Sequence, residues 1–249
     1  MNDKKRIKLV VAYDGTNYCG WQIQTNGPTI EEELNKALTH LLGEEIHVIG
    51  ASRTDAGVHS LGNVCVFDTE TNIPAEKICY AVNMGLPEDI AVQESCEVDP
   101  GWHPRKCEST KTYEYRILNR PIPLPTRRAD TYFYYGDLDI EAMRKAAKLM
   151  EGTHDFASFC SSGSAAESTV RTVYSCEILT DGDLITVRVS GSGFLYNMVR
   201  IMVGTLLLVG SGQLAPEDIP RIIEARDRSG AGPTAPAKGL TMIGISFEK

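Results

Sequence analysis

The chain has 249 residues, of which 42% are hydrophobic and 23% charged, and a formal net charge of -8. So large an apolar share at so modest a charge excludes intrinsic disorder and a collagen-like fibre, because enough surface can be buried to offset the entropy of ordering. The length suits one large domain or two small ones.

The uncharged stretch Ile201 to Pro216 is broken by Gly204, Gly210 and Gly212 and is too short to cross a bilayer, so a membrane protein is not expected. In MNDKKRIKLVVAYDG, basic residues precede apolar ones, but the run reaches Asp14 with no small-residue cleavage site, so a secretory signal is not expected. Cys19, Cys65, Cys79, Cys96, Cys107, Cys160 and Cys176 are an odd set with wide spacing. They read as the reduced thiols of a cytoplasmic protein, neither a disulfide framework nor a zinc site.

Residues 1–105 hold eight Lys and Arg against sixteen Asp and Glu, whereas residues 106–249 hold seventeen of each. An acidic chain is a poor sequence-indifferent binder of nucleic acid, which relies on releasing counterions from many phosphates. A local basic groove stays compatible with this, because charges more than about 8 Å apart are largely screened at ~0.15 M salt.

In chain order, Ile7 to Tyr13 reads as a strand, and Thr29 opens a helix as N-cap with Glu32 at the reciprocal capping position. Ile30, Leu34, Ala37, Leu38 and Leu41 form its apolar stripe, and Gly43 stops it. Glu45 to Ala51 and Leu61 to Asp68 are expected strands around a polar loop, Ala75 to Met84 a helix, and Ile90 to Val98 a strand. In the second half Thr112 to Leu118 is strand-like, Ile140 to Met150 a helix, and Val170 to Leu179 with Leu184 to Ser190 a hairpin across Asp181-Gly182. A helix is expected from Phe194 to near Gly210, another over Glu217 to Arg226, and a last strand over Leu240 to Phe247. This order implies an α+β fold of two tandem ferredoxin-like lobes, residues 1–105 and 106–249, each an antiparallel sheet with helices on one face. Asp99-Pro100-Gly101 marks the expected boundary, and the Pro121 to Pro125 run is an excursion in the second lobe. A cleft between the lobes is the expected ligand site.

The densest polar cluster is Gly50-Ala51-Ser52-Arg53-Thr54-Asp55-Ala56-Gly57-Val58-His59, a loop of small residues that permits close approach of a ligand. Asp55 has small neighbours and its carboxylate is a candidate for chemistry; an Asx-type turn is the structural alternative. In Gly193-Phe194-Leu195-Tyr196-Asn197-Met198-Val199-Arg200-Ile201-Met202-Val203-Gly204, Arg200 is a lone cation in an apolar helix. Arg does not shed its proton, so it must meet a carboxylate, phosphate or water, snorkel to the surface, or tie down a local carbonyl. Were it to meet Asp55, it would keep that carboxylate ionised and aimed.

In Lys111-Thr112-Tyr113-Glu114-Tyr115, the two tyrosines share one face of a strand, where they either stack on a nucleic-acid base or fill a core. Phe156, Phe159, Tyr132, Phe133, Tyr134 and Tyr135 are assigned to packing. The five histidines show no metal-ligand spacing, and no phosphate-cradling or dinucleotide-binding glycine motif is present.

Together, Tyr13-Asp14-Gly15-Thr16 with Gly20-Trp21-Gln22, Arg53-Thr54-Asp55-Ala56-Gly57-Val58-His59, Lys111 to Tyr115, and Gly193-Phe194-Leu195 with Met198-Val199-Arg200 resemble the TruA family of tRNA pseudouridine synthases. Asp155-Phe156 with Ser158-Phe159, Arg171-Thr172-Val173 and Gly239-Leu240 extend the likeness over nearly the whole chain. Trp102-His103-Pro104-Arg105 fits the family's lobe junction more loosely. The resemblance implies an isomerase with no cofactor and no metal, acting on uridines 38 to 40 of the tRNA anticodon stem-loop as a homodimer. It also implies Asp55 as nucleophile, Tyr113 as the ring stacking on the target uracil, Arg200 as the cation paired with Asp55, and Arg53 as an RNA contact. On the residues alone, a non-catalytic RNA-binding module and a nucleoside hydrolase stay open as alternatives.

Overall fold

A computed structural model of the chain describes residues 4–164 and 166–248. The fold is α+β, and its strands pair mostly antiparallel. The chain divides into two compact units, one running up to Ser109 and resuming from Met242, the other spanning Thr110–Thr241.

In the first unit, β1 (Lys5–Tyr13) lies between β3 (His59–Thr69) and β4 (Ile90–Val98), antiparallel to both. Ile7, Leu9, Val11 and Tyr13 alternate inward, as a strand with one buried face requires. Against them packs α1 (Ile30–Leu42), which buries Ile30, Leu34, Ala37 and Leu38 in the same core. Thr29 caps α1 by accepting from the Glu32 amide, and Gly43 ends it in the left-handed region at φ 70°. Both ends lie where the sequence puts them.

The strand expected over Glu45 to Ala51 contracts to β2 (Ile49–Gly50), paired with β3. Its donors are spent on α1 instead: the Ile46 amide donates to Thr39 Oγ1 at 3.0 Å and the Val48 amide to Asn35 Oδ1 at 2.9 Å. The helix expected over Ala75 to Met84 is a 3-10 turn followed by the short α2 (Ile78–Val82). Asn83 stops it by exchanging two side-chain hydrogen bonds with the Val92 backbone, at 2.9 and 2.7 Å.

In the second unit, β5 (Ser109–Asn119) pairs with β9 (Leu184–Gly191), β9 with β8 (Val170–Asp181), and β8 with β7 (Gly152–Asp155), all antiparallel. The β6 strand (Tyr132–Tyr134) adds to β5 in parallel. Sequence patterning does not reveal β6 or β7, because three or four residues are too few to display an alternation. The helix α3 (Ile140–Leu149) packs on β8 and on α4 (Met198–Gly210). Almost every α4 residue is buried, as befits a helix hydrophobic all round. Helix α4 starts at Met198 and not at Phe194, because Asn197 adopts φ 60°, outside the right-handed helical region. Next come α5 (Asp218–Ala225) and β10 (Leu240–Phe247), which spans the residues expected of the last strand and from Met242 belongs to the first unit.

Of the aromatics assigned to packing, Phe156 and Phe159 are fully buried and Tyr132, Phe133 and Tyr134 partly so, but Tyr135 is 73% exposed. It lies just past the end of β6, where no element covers it.

Candidate active site

Asp55 lies in the loop between β2 and β3, and the loop is held by the backbone and by its neighbours' side chains. The Trp21 amide donates to the Thr54 carbonyl at 3.1 Å, Gly57 to the Tyr18 carbonyl at 3.2 Å, and Val58 back to the Asp55 carbonyl at 3.1 Å. Beneath it, Tyr13 Oη and Thr54 Oγ1 share a buried hydrogen bond of 2.8 Å, and Asn63 Nδ2 donates to the Ser52 carbonyl at 3.0 Å.

This seating requires two glycines. A Cβ at Gly15 would stand 2.0 Å from the Val58 carbonyl oxygen, and one at Gly20, whose φ is +91°, only 2.5 Å from that of Thr54. The Tyr-Asp-Gly-Thr and Gly-Trp-Gln strings are therefore the floor of the Asp55 loop. Asp55 itself is half-buried, flanked by the exposed residues Arg53 and Ala56.

The far end of the loop is pinned by His59, which is buried. Its Nδ1 lies 3.1 Å from the Gly15 amide and 3.0 Å from Asp14 Oδ1. A neutral Nδ1 accepts from Gly15, whereas a protonated one pairs with Asp14. Burial works against ionising Asp14, but hydrogen bonds from Thr16 and the nearby His59 outweigh it and hold the carboxyl below its usual range.

Arg105 Nε donates to the Gly50 carbonyl at 2.7 Å, where the chain enters the loop. Burial and the like charge of Arg53 both weaken the Arg105 guanidinium's hold on its proton. Arg53 and Arg105 therefore lie close enough to feel each other's charge, at the entrance to the loop that carries Asp55.

Tyr113 and Arg200 belong to the second unit. Tyr113 is buried on β5 and meets the Phe194 ring edge-on, with centroids 5.3 Å apart and planes at 87°. Tyr115, two residues on, is fully buried and donates its hydroxyl to the Pro236 carbonyl at 2.7 Å. Burial raises its pKa, and the Arg200 charge partly counters this. The two tyrosines share one face of the strand, and the Phe194 ring of the Gly-Phe-Leu string packs edge-on against the first.

Arg200 meets polar partners within its own unit. Its Nε donates to the Ala235 carbonyl at 2.7 Å and its Nη1 to Asn197 Oδ1 at 2.8 Å, while its carbonyl accepts from the Ala235 amide at 3.1 Å. The Ala235 segment reaches Arg200 because two glycines let it press onto α4. A Cβ on Gly204 would stand 1.7 Å from the Pro233 carbonyl oxygen, and one on Gly232 would stand 2.5 Å from the α4 backbone. Thr205 fastens the contact, its hydroxyl accepting from the Gly232 amide at 2.9 Å. The Ala235–Pro236 segment and Asn197 escape sequence reasoning as site residues. The first lies between the expected elements, and Asn197 reads as part of the helix expected from Phe194 to near Gly210.

Thus Asp55 and Arg53 share one loop of the first unit, and Tyr113 and Arg200 lie on β5 and α4 of the second. Taken separately, the first unit offers a half-buried carboxylate in a loop with a guanidinium group, and the second a guanidinium group and an oriented aromatic ring; these are types of group that act on a glycosidic bond or stack on a base.

A family profile described as tRNA pseudouridine synthase matches residues 9–105 and 146–248. The tRNA pseudouridine synthase A of Thermoanaerobacter sp. (strain X514) is 47% identical over 243 residues, covering 98% of this chain and 100% of that protein. The proteins of the same name from Acetivibrio thermocellus and Clostridium acetobutylicum are 45% and 47% identical over 243 residues, with the same coverage. The motifs that build the Asp55 loop, the tyrosine strand and the head of α4 lie in a chain that belongs to the tRNA pseudouridine synthase family.

Proposed function

We propose that the protein isomerises uridine to pseudouridine at positions 38 to 40 of the tRNA anticodon stem-loop, with Asp55 as the group that acts on the nucleotide. The observation that carries this reading is the Asp55 loop, anchored through Ser52, Thr54, Gly57 and Val58 around a half-buried carboxylate and laid on glycines that admit no side chain.

The reaction breaks the N1–C1′ bond of uridine, turns the uracil, and joins C5 to C1′. The C5 proton is lost and N1 gains one, so atoms and electrons balance with no oxidant or reductant. A carboxylate promotes it by one of two routes. It bonds to C1′ as N1 departs with the electron pair and is expelled when C5 attacks; or it takes the C2′ proton as N1 departs, leaving a C1′=C2′ double bond, and returns the proton to C2′ as C5 bonds to C1′. Either route requires Asp55 ionised.

Arg200 is proposed as the cation that pairs with Asp55 in the tRNA-bound enzyme, and Tyr113 as the ring that stacks on the target uracil. Extruding a stem base costs a few kcal/mol, of which stacking on an aromatic ring returns roughly 1–3 kcal/mol. Arg53, in the same loop as Asp55, is a proposed RNA contact. Among the described residues no helix is long and apolar enough to cross a membrane, and we place the enzyme with its substrate in the cytoplasm as a homodimer.

The test is incubation of the pure protein with unmodified tRNA and no additives, followed by mapping of modified positions and chromatography of released bases. Pseudouridine at positions 38 to 40 is expected. Free uracil would instead mean hydrolysis, and binding without any change would mean an RNA-binding module.

A further inference from the structure

We propose that Asn197 is a positioning residue for Arg200, resting on the reading above of Arg200 as the cation paired with Asp55. Among the described residues only Asn197 and Arg226 adopt positive φ without being glycine. Arg226 follows the last residue of α5, where a left-handed conformation is ordinary. Asn197 precedes the first residue of α4, where the flanking residue ordinarily adopts an extended conformation and caps the helix with its side chain. It does neither: its φ and ψ are 60° and 9°, and its side chain makes no cap bond.

The side chain goes elsewhere. Its Oδ1 accepts from Arg200 Nη1 at 2.8 Å, and its Nδ2 donates to Ser161 Oγ at 3.0 Å. Arg is a donor only, which fixes the amide's orientation. Ser161 is itself tied to the chain by its amide, which donates to the Tyr196 carbonyl at 3.1 Å. Asn197 thus gives up both stabilising features of its position, and its side chain instead bridges a fixed serine to one arm of the guanidinium. The Ala235 carbonyl holds Nε at 2.7 Å. Two fixed acceptors on two nitrogens of a planar group define its plane and direction, which one acceptor alone leaves free to swing.

The test is Asn197→Gly, which favours the left-handed backbone and deletes only the side chain. The expected result is a kcat on tRNA lowered about 10²-fold, the scale set by misplacing a reacting group by about 1 Å. KM is expected within about twofold of the original, and the thermal midpoint lowered by less than in Arg200→Ala, because glycine relieves the left-handed backbone while the Ala235 bond stays. With the cation displaced, the acid limb of the kcat profile should move to higher pH, because a carboxylate losing a neighbouring positive charge protonates more readily. Combining Asn197→Gly with Arg200→Ala should give no further loss beyond Arg200→Ala alone. Asn197→Asp, which places a rival carboxylate against Arg200, should move the same limb upward.

A wild-type kcat and pH profile in Asn197→Gly, an unmoved limb in Asn197→Asp, or a double variant whose loss is the product of the two single losses would overturn the proposal. If Arg200→Ala itself left kcat unchanged, the assigned role of Arg200 would fail instead. If Arg200→Ala lost activity and Asn197→Gly did not, only the positioning role would fail.

Discussion

In the loop carrying Asp55, the anchoring groups are the aspartate's neighbours: the Thr54 and Val58 backbone, the Thr54 hydroxyl, the Ser52 carbonyl and the two glycines below. At the head of α4 the arrangement is reversed, because the guanidinium of Arg200 makes the anchoring bonds itself, to Ala235 and Asn197. The difference teaches which substitutions separate chemistry from folding. Gly15, Gly20, Ser52 and Thr54 hold the loop without doing chemistry, whereas at α4 the functional side chain is also a structural tie.

The largest expected loss of stability breaks the loop's half of that contrast. Gly20→Val requires a β-branched residue at φ +91° and a Cβ 2.5 Å from a backbone oxygen. About 3 kcal/mol or more of destabilisation is expected, combining backbone strain with overpacking. Urea unfolding should show a clearly lowered midpoint, and a midpoint equal to wild type would mean that the glycine floor is not what holds the loop.

A smaller loss is expected where the functional and structural roles coincide. Arg200→Ala removes two charge-assisted hydrogen bonds and should destabilise the fold by roughly 1.5–3 kcal/mol, as well as lowering turnover. Arg200→Lys keeps the charge but not the planar fork, so it should recover part of the stability and little of the rate. Stability in Arg200→Ala equal to wild type would erase the contrast with the Asp55 loop.

Much of this was legible in the sequence. The caps of α1, the span of β4 and the turn beside Gly182 are local signals, and a residue's own neighbours decide them. What was hidden depends on distant partners. The strand expected over Glu45 to Ala51 shortens because Asn35 and Thr39 of α1 take its amides. The early start expected for α4 fails because Asn197 turns its side chain to Arg200 and Ser161, a use that helical periodicity does not record. The string Arg-Thr-Asp-Ala-Gly-Val-His marks Asp55 as a candidate, but the roles of Gly15 and Gly20 as its floor emerge only when the loop is seen lying on them.

The account is tested most directly by single-turnover pseudouridine formation with Asp55→Asn, measured alongside tRNA affinity and thermal midpoint. The substitution conserves shape and leaves the bonds at Ser52, Thr54, Gly57 and Val58 in place, so folding and tRNA binding should stay close to wild type. The rate should fall on the order of 10⁴-fold or more, the scale of removing a group that acts directly on the reacting atoms. A variant that still forms pseudouridine within about tenfold of the wild-type rate would contradict the assignment of the chemistry to this carboxylate.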